Sequence, residues 1–302
     1  MSNHPLLSAS LAQVLACPAC LGPLRMDAAA AVCDACGASF PRESGGRLDL
    51  RLRQPRTVNI DFRIGAGLPD PSPVDWRPLD RNEHAEVDFS GENVPNHLSP
   101  ELLSHFPKAR VAGQLLLDLG CGTSLHRGVC ERAGFTYVGL DYSNPGAPML
   151  GDAQALPFRD QVFNLVLSIA VLEHIQYPEV MLREVFRVLK PGGRFIGSAS
   201  FLEPFHEISF QHHSHMGLLS VLQQAGFKVG HIAPGWDGAT AITQMGLLAG
   251  APSWMVKLSV APLLALHRLW WLLLSRIRPG WDETTRRLKT AGAFSFIVER
   301  PC

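Results

Sequence analysis

Two groups of residues in this 302-residue chain have the types and spacing to do chemistry. The first is Cys17 and Cys20, then Cys33 and Cys36, two Cys-x-x-Cys pairs. Each pair turns two thiolates onto one ion, and two pairs complete a tetrahedral, all-sulfur zinc site. Four protein ligands leave no position for water, so such a zinc is structural; redox pairs are the alternative. The second group is a glycine turn, "LLLDLGCGTS", in which a leucine run stops at Asp118 and breaks at Gly120 and Gly122. A dinucleotide loop would carry a third glycine where Leu125 stands, and a P-loop would carry Gly-Lys-Ser/Thr. Neither is present. An acid beside the turn repels phosphate and attracts an ammonium. "YVGLDYS" ends the next strand at Asp141 and Tyr142, with the acid placed for ribose hydroxyls. "GDAQALPF" puts Asp152 and Ala153 at a third strand end, within reach of an adenine amino group. Three acids and two glycines at successive strand ends describe a pocket for an adenosine that carries an amino acid.

Histidines are the candidate proton acceptors, because their pKa lies near neutrality. His174, in "LEHI", stands just past a strand, at the carboxyl edge where such sheets bind ligands. A structural or cofactor-side role competes with catalysis there. "EPFHEISFQHHSHMGLLSVLQQAGF" gathers His206, His212, His213 and His215 beside Glu207. One of His206, His212 or His213 is the candidate base. A metal bound by the cluster and a solvated polar loop are the alternatives.

These residues need a scaffold of strands ending at one edge. From Gln114 onward, short apolar runs alternate with helical patterns, the signature of βαβ units and a parallel sheet. Strands are expected at 114–119, 136–140, 163–169, 193–199, 228–233 and 294–299, with a short one near 149–151. A helix is expected over 179–190, where Leu182, Val185, Phe186 and Leu189 share a face and Lys190-Pro191-Gly192 ends it. Residues 54–100 are proline-rich and read as a linker lying over the domain.

In order and spacing, "LLLDLGCGTS", "YVGLDYS", "GDAQALPFRDQVFNLVLSIAVLEHI" and "REVFRVLKPGGRFI" resemble the class I S-adenosylmethionine-dependent methyltransferases, over roughly residues 112–235. The resemblance implies an α/β, Rossmann-like seven-stranded sheet with helices on both faces. It also implies S-adenosyl-L-methionine as cofactor, with Asp118, Gly120 and Gly122 cradling its methionine part, Asp141 its ribose, and Asp152 with Ala153 its adenine. The family often has a further glycine where this chain has Ser124. In related enzymes the loop with "PFHE" covers the acceptor, and it recurs in relatives linked to glycan and natural-product methylation. The cysteine segment resembles the zinc-ribbon activator of tRNA and protein methyltransferases and the ribbon preceding some rRNA guanine methyltransferases. The expected layout is a zinc ribbon over 1–55, a linker and helical cover over 56–111, and a methyltransferase domain over 112–302.

Partners follow from charge and from one insertion. Lys+Arg 27 balances Asp+Glu 27, which disfavours a nucleic-acid partner. No secretory signal pattern opens the chain, so a cytoplasmic protein is expected. The expected acceptor is a small molecule or glycan, methylated at oxygen or nitrogen. An rRNA or tRNA methyltransferase is the first alternative, with Arg47, Arg51, Arg53 and Arg56 as a phosphate-binding edge. A non-catalytic, cofactor-binding regulatory subunit is the second. Residues 240–289 insert an apolar helical segment between the last two strands. Lys257, Pro262, His267 and Arg268 argue against a membrane span there. A lid or homodimer contact is favoured over a peripheral membrane surface, which would imply a lipid-linked acceptor.

Overall fold

The computed structural model describes residues 9–43, 46–62, 68–205 and 207–302. Helix α1 (Ala9–Val14) leads into a three-stranded antiparallel ribbon of β1 (Leu24–Met26), β2 (Ala30–Cys33) and β3 (Ser39–Pro41). Then come β4 (Leu48–Asp49), α2 (Pro100–Ser104), β5 (Leu115–Leu119), α3 (Arg127–Arg132), β6 (Thr136–Leu140) and β7 (Met149–Leu150). The second half holds β8 (Phe163–Ile169), α4 (Pro178–Val188), β9 (Leu189–Ser200), α5 (His215–Gln224) and β10 (Lys228–Pro234). It closes with α6 (Gly238–Ile242), α7 (Ser253–Ser275), α8 (Glu283–Thr290) and β11 (Ala293–Glu299).

Six strands form the central sheet in the order β10-β11-β9-β8-β5-β6. The β6–β5–β8–β9 pairs are parallel, and β11 runs antiparallel between β9 and β10. β8 is buried along nearly its whole length, as a strand covered on both faces must be. β11 alternates between buried and half-buried positions. The seventh expected strand is reduced to the two residues of β7, whose ladder to the sheet is a single bridge from Leu150 to Asp141 among the described residues. It pairs instead with β4, in parallel.

That pairing changes the layout expected of the N-terminus. The ribbon is docked, not tethered. Leu15 bridges Phe158, Leu50 N–H donates to Leu150 O, and Leu15, Phe40, Leu48 and Leu50 belong to one apolar core with Leu117, Phe158 and Val166. The proline-rich stretch after it is more than a linker. Leu98, Leu102 and Phe106 pack against Leu116, Val129 and Ile196 in a second core on the other face of the sheet. α4 stops two residues earlier than its pattern suggests. Leu189 already has extended backbone and pairs with Phe163, because a parallel partner offers its carbonyl and N–H the bonds a helix end lacks.

α7 is one unbroken helix of 23 residues around Pro262, about 35 Å long, and is long and apolar enough to cross a membrane. Only Val256, Val260 and Trp271 are buried. Its first turns pack on α6 and the π-turn Thr243–Leu247. At its other end Trp271 donates to Asp282 O and stacks on Trp281 at 4.6 Å. Both ends are therefore held to the body, so the helix lies along the protein. A lid buried against its own chain is not what forms, since Leu258, Leu263, Leu266, Leu269, Trp270 and Leu273 are all exposed.

Candidate functional site

The glycine turn is shaped by two independent constraints. Gly120 has φ +72°, and a Cβ there would lie 2.4 Å from Val171 Cγ2. Gly122 has φ +53° with open space around it, and its N–H donates to Asp141 Oδ2 at 3.0 Å. Ser124, where the family often has glycine, adopts φ +65°, so the left-handed turn survives with a serine in it. Asp141 also accepts from the N–H groups of Ser143 and Asn144 through Oδ1. Three backbone donors fix this carboxylate at the end of β6, and Oδ2 keeps a lone pair for a ligand hydroxyl. Asp152 Oδ1 accepts from Gln154 N–H and faces a small cavity of about 290 Å³ with Tyr142 and residues 51–55. The turn, the carboxylate and the small cavity together fit an adenosine-bearing amino acid.

Asp118 takes a different place from the one expected of it. It is fully buried, and its carboxylate accepts from His126 Nδ1 at 3.0 Å and the Tyr137 hydroxyl at 2.8 Å. Gly139 makes this possible: a Cβ there would sit 2.7 Å from Tyr137 Oη. Burial, then the Asp118 charge, push the Tyr137 phenol up, so it stays a donor. A ligand ammonium has no access to this carboxylate. His126 Nε2 in turn lies 2.9 Å from His97 Nε2, with the rings edge to face.

His97 lines the larger cavity, about 770 Å³, at the carboxyl edge of the sheet. Its walls come from Ala170 after β8, Ser198–Ser200 of β9, Pro234 at the end of β10, Trp236 after it, and Ala293 of β11. Ala170 holds φ +53° and precedes Val171, the residue on which Gly120 packs. The larger cavity is thus lined by the neighbour of the residue on which Gly120 packs. One flank is acidic: the Ser200 hydroxyl lies between Glu203 and the fully buried Glu173, and Glu203 accepts from Trp236 Nε1.

The histidines singled out in the sequence lie elsewhere. His174 Nδ1 donates to Ile208 O, and His212 Nδ1 to Phe201 O. His213 is buried behind Ser200, its N–H donating to Ser200 O, and burial pushes its pKa down. None of these three lines the large cavity. His206 lies outside the described residues. The sequence reading passed over His97 and His126. His126 sits four residues after Gly122, and His97 precedes the Ser99-Pro100 start of α2, whose cap accepts from Leu102 N–H.

The four ribbon cysteines converge, with all four sulfurs within 4.8 Å of one another. Cys17–Cys36 and Cys20–Cys33 sulfurs lie 3.7 and 3.5 Å apart. Sulfurs about 2.3 Å from a tetrahedral zinc are about 3.8 Å apart, so the donor set fits that ion. The four arginines considered for phosphate are already engaged. Arg47 donates to Asn144 O and Pro145 O, Arg51 and Arg53 pair with Asp49, and Arg56 donates to Pro18 O. Arg51 also donates to Tyr142 O and lies 5.7 Å over the Tyr142 ring, so the ribbon walls the small cavity.

Residues 117–197 match the family described as "Methyltransferase domain". The demethylmenaquinone methyltransferase of Streptomyces griseus is 38% identical over 94 residues, 28% of this chain and 41% of that protein. The mitochondrial arginine-hydroxylase NDUFAF5 of Danio rerio is 33% identical over 150 residues, 45% of this chain and 43% of that protein. The chain thus spans less than half the length of each of these two relatives. A solved S-adenosylmethionine-dependent methyltransferase from Mesorhizobium loti superposes with TM-score 0.42 at 17% identity, covering 68% of this chain and 98% of that one.

Proposed function

We propose that this chain, which carries a class I S-adenosylmethionine-dependent methyltransferase domain, methylates a small acceptor at a hydroxyl or amine. The observation that supports this reading is a pair of cavities: a small one lined by Tyr142 and Asp152, next in sequence to Asp141, and a larger one lined by Ala170, the neighbour of the Val171 on which Gly120 packs. When bound, S-adenosylmethionine supplies an electrophilic methyl on a sulfonium. Gly120 and Gly122 bring the backbone close to it, Asp141 accepts from its ribose, and Tyr142 and Asp152 flank its adenine. Glu203 and Ser200 suit an acceptor that donates hydrogen bonds, as alcohols and amines do. Zinc on Cys17, Cys20, Cys33 and Cys36 is structural in this scheme. It holds the ribbon whose Arg51 to Pro55 stretch walls the small cavity. The commitment of Arg47, Arg51, Arg53 and Arg56 within the chain removes the main support for an RNA substrate.

The exposed, cationic face of α7 supports a partner as part of this proposal. Between Asp237 and Asp282 the chain has no acid, while Lys257, Arg268, Arg276 and Arg278 are all cationic. Two copies of this face would set like charges together, whereas anionic headgroups neutralise them. We therefore place α7 on an anionic membrane surface, with Arg287 of the neighbouring α8 at the rim of the large cavity. The acceptor is then lipid-linked or lipid-soluble. The test is methyl-labelled S-adenosylmethionine with the full chain and separate lipid, aqueous small-molecule and RNA extracts. Label in the lipid fraction is expected; label in RNA alone overturns the reading.

A further inference from the structure

For a neutral His126, donor and acceptor counting assigns the proton positions along the chain from Asp118 through His126 to His97. An ionised carboxylate only accepts, so His126 Nδ1 carries the proton it shares with Asp118. A neutral His126 then offers Nε2 as an acceptor, and His97 must donate to it from Nε2. That leaves His97 Nδ1 with its lone pair, and among the described residues it has no partner. His97 is an exposed residue, and it lines the large cavity. We propose that His97 is the general base of the methyl transfer, held in its productive tautomer by His126 and the buried Asp118. This rests on the methyltransferase reading given above.

The step balances without a further reagent. The acceptor oxygen or nitrogen forms a bond to the methyl carbon as the carbon–sulfur bond breaks. The electron pair of that bond stays on sulfur, giving S-adenosylhomocysteine. The acceptor proton goes to His97 Nδ1. The Nε2 proton of His97 can then pass to His126 Nε2, which places the positive charge beside Asp118, where an opposite charge is most stabilised. His97 is the catalytic residue, while His126 and Asp118 position it. Burial of the inner edge of His97, then the His126 ring, push its pKa below the usual histidine value, against the pull of Asp118. Asp80, Arg81 and Glu101 flank the same cavity, with Glu203 and Arg287 across it.

Two measurements on the full chain test the proposal. The first compares wild type with His97→Ala, which lies on the surface and outside the cofactor contacts. Cofactor affinity by calorimetry should be unchanged, label transfer should fall about 10²–10⁴-fold, and added imidazole should restore part of it. The acid limb of the wild-type rate profile should vanish in the variant. Equal transfer by His97→Ala with the same profile overturns the proposal. A wild type that binds no cofactor instead overturns the methyltransferase reading. The second needs no acceptor: ¹⁵N-histidine spectra with S-adenosylhomocysteine present. They should show His126 protonated at Nδ1 and His97 at Nε2, and His126→Phe should shift the tautomer balance and pKa of His97. If that variant does not fold, His97→Gln should instead shift the His126 signals. Unchanged signals in whichever of the two folds overturn the relay.

Discussion

Replacing Gly120 by alanine adds one methyl group, and the structure separates its cost into two parts. At φ +72° a Cβ carries the left-handed penalty, about 1–2 kcal/mol. The same Cβ lies 2.4 Å from Val171 Cγ2 and 3.1 Å from Cγ1, a clash that costs about 1–3 kcal/mol if the neighbours yield as they do in other overpacked cores. Gly120→Ala should therefore lose about 2–5 kcal/mol of stability, since both terms act. Gly122→Ala has φ +53° and no neighbour nearer than 3.8 Å, so it should lose only the backbone part, about 1–2 kcal/mol. Val171→Ala removes the two clashing methyls. The pair Gly120→Ala with Val171→Ala should thus recover the steric part as a coupling energy of about 1–3 kcal/mol. Urea unfolding of the wild type and these four variants measures all of these quantities. Equal losses at 120 and 122, or no coupling with Val171, would refute the close approach of turn and strand end.

Three further outcomes follow. Asp49 is buried, which alone would raise its pKa, yet hydrogen bonds from Arg51 and Arg53 bring it from 3.8 to about 2. Its contribution, about 2 kcal/mol, is full above the unfolded value and lost as pH falls from about 4 through 2; Asp49→Asn should flatten urea-midpoint curves over that window. Metal analysis should find about one zinc per chain, and chelation or Cys33→Ser should weaken cofactor binding as well as the ribbon, because the 51–55 wall goes with it. Anionic vesicles should sediment the protein at low salt and release it at high salt, and Trp270→Ser with Leu273→Ser should abolish the effect without changing cofactor affinity. Absence of sedimentation at low salt would remove the membrane partner.

β8 was legible because it is covered on both faces and reads as an apolar run, and the Asp–Gly turn marked the strand end at which Gly120, Gly122 and the Asp141 carboxylate come together. What the pattern hid was mostly a matter of pairing. Two residues of β7 cannot show a strand period, and nothing local says that Leu48 and Asp49 will be their neighbours. The role of Asp118 depended on Tyr137 and His126 closing over it, one from the next strand and one from the start of α3. His97 stands in an aperiodic, proline-rich stretch, so its place became visible only once Leu98 was seen buried under β5. The histidine cluster at 206–215 attracted notice by density, whereas His212 and His213 are turned to backbone and core. The exposure of α7 was equally silent in a sequence that is apolar on nearly every face.

The most direct test of the account is calorimetric titration of the purified full chain with S-adenosylmethionine, wild type beside Asp141→Ala. Asp141 is fixed by three backbone N–H groups at the end of β6, and a charge-assisted bond that it accepts from a ribose hydroxyl would be worth about 1.5–3 kcal/mol. Wild type should bind one equivalent, and the variant should bind about 10–100-fold more weakly, the same energy expressed as affinity. No binding by the wild type, or equal affinity in the two proteins, would contradict it.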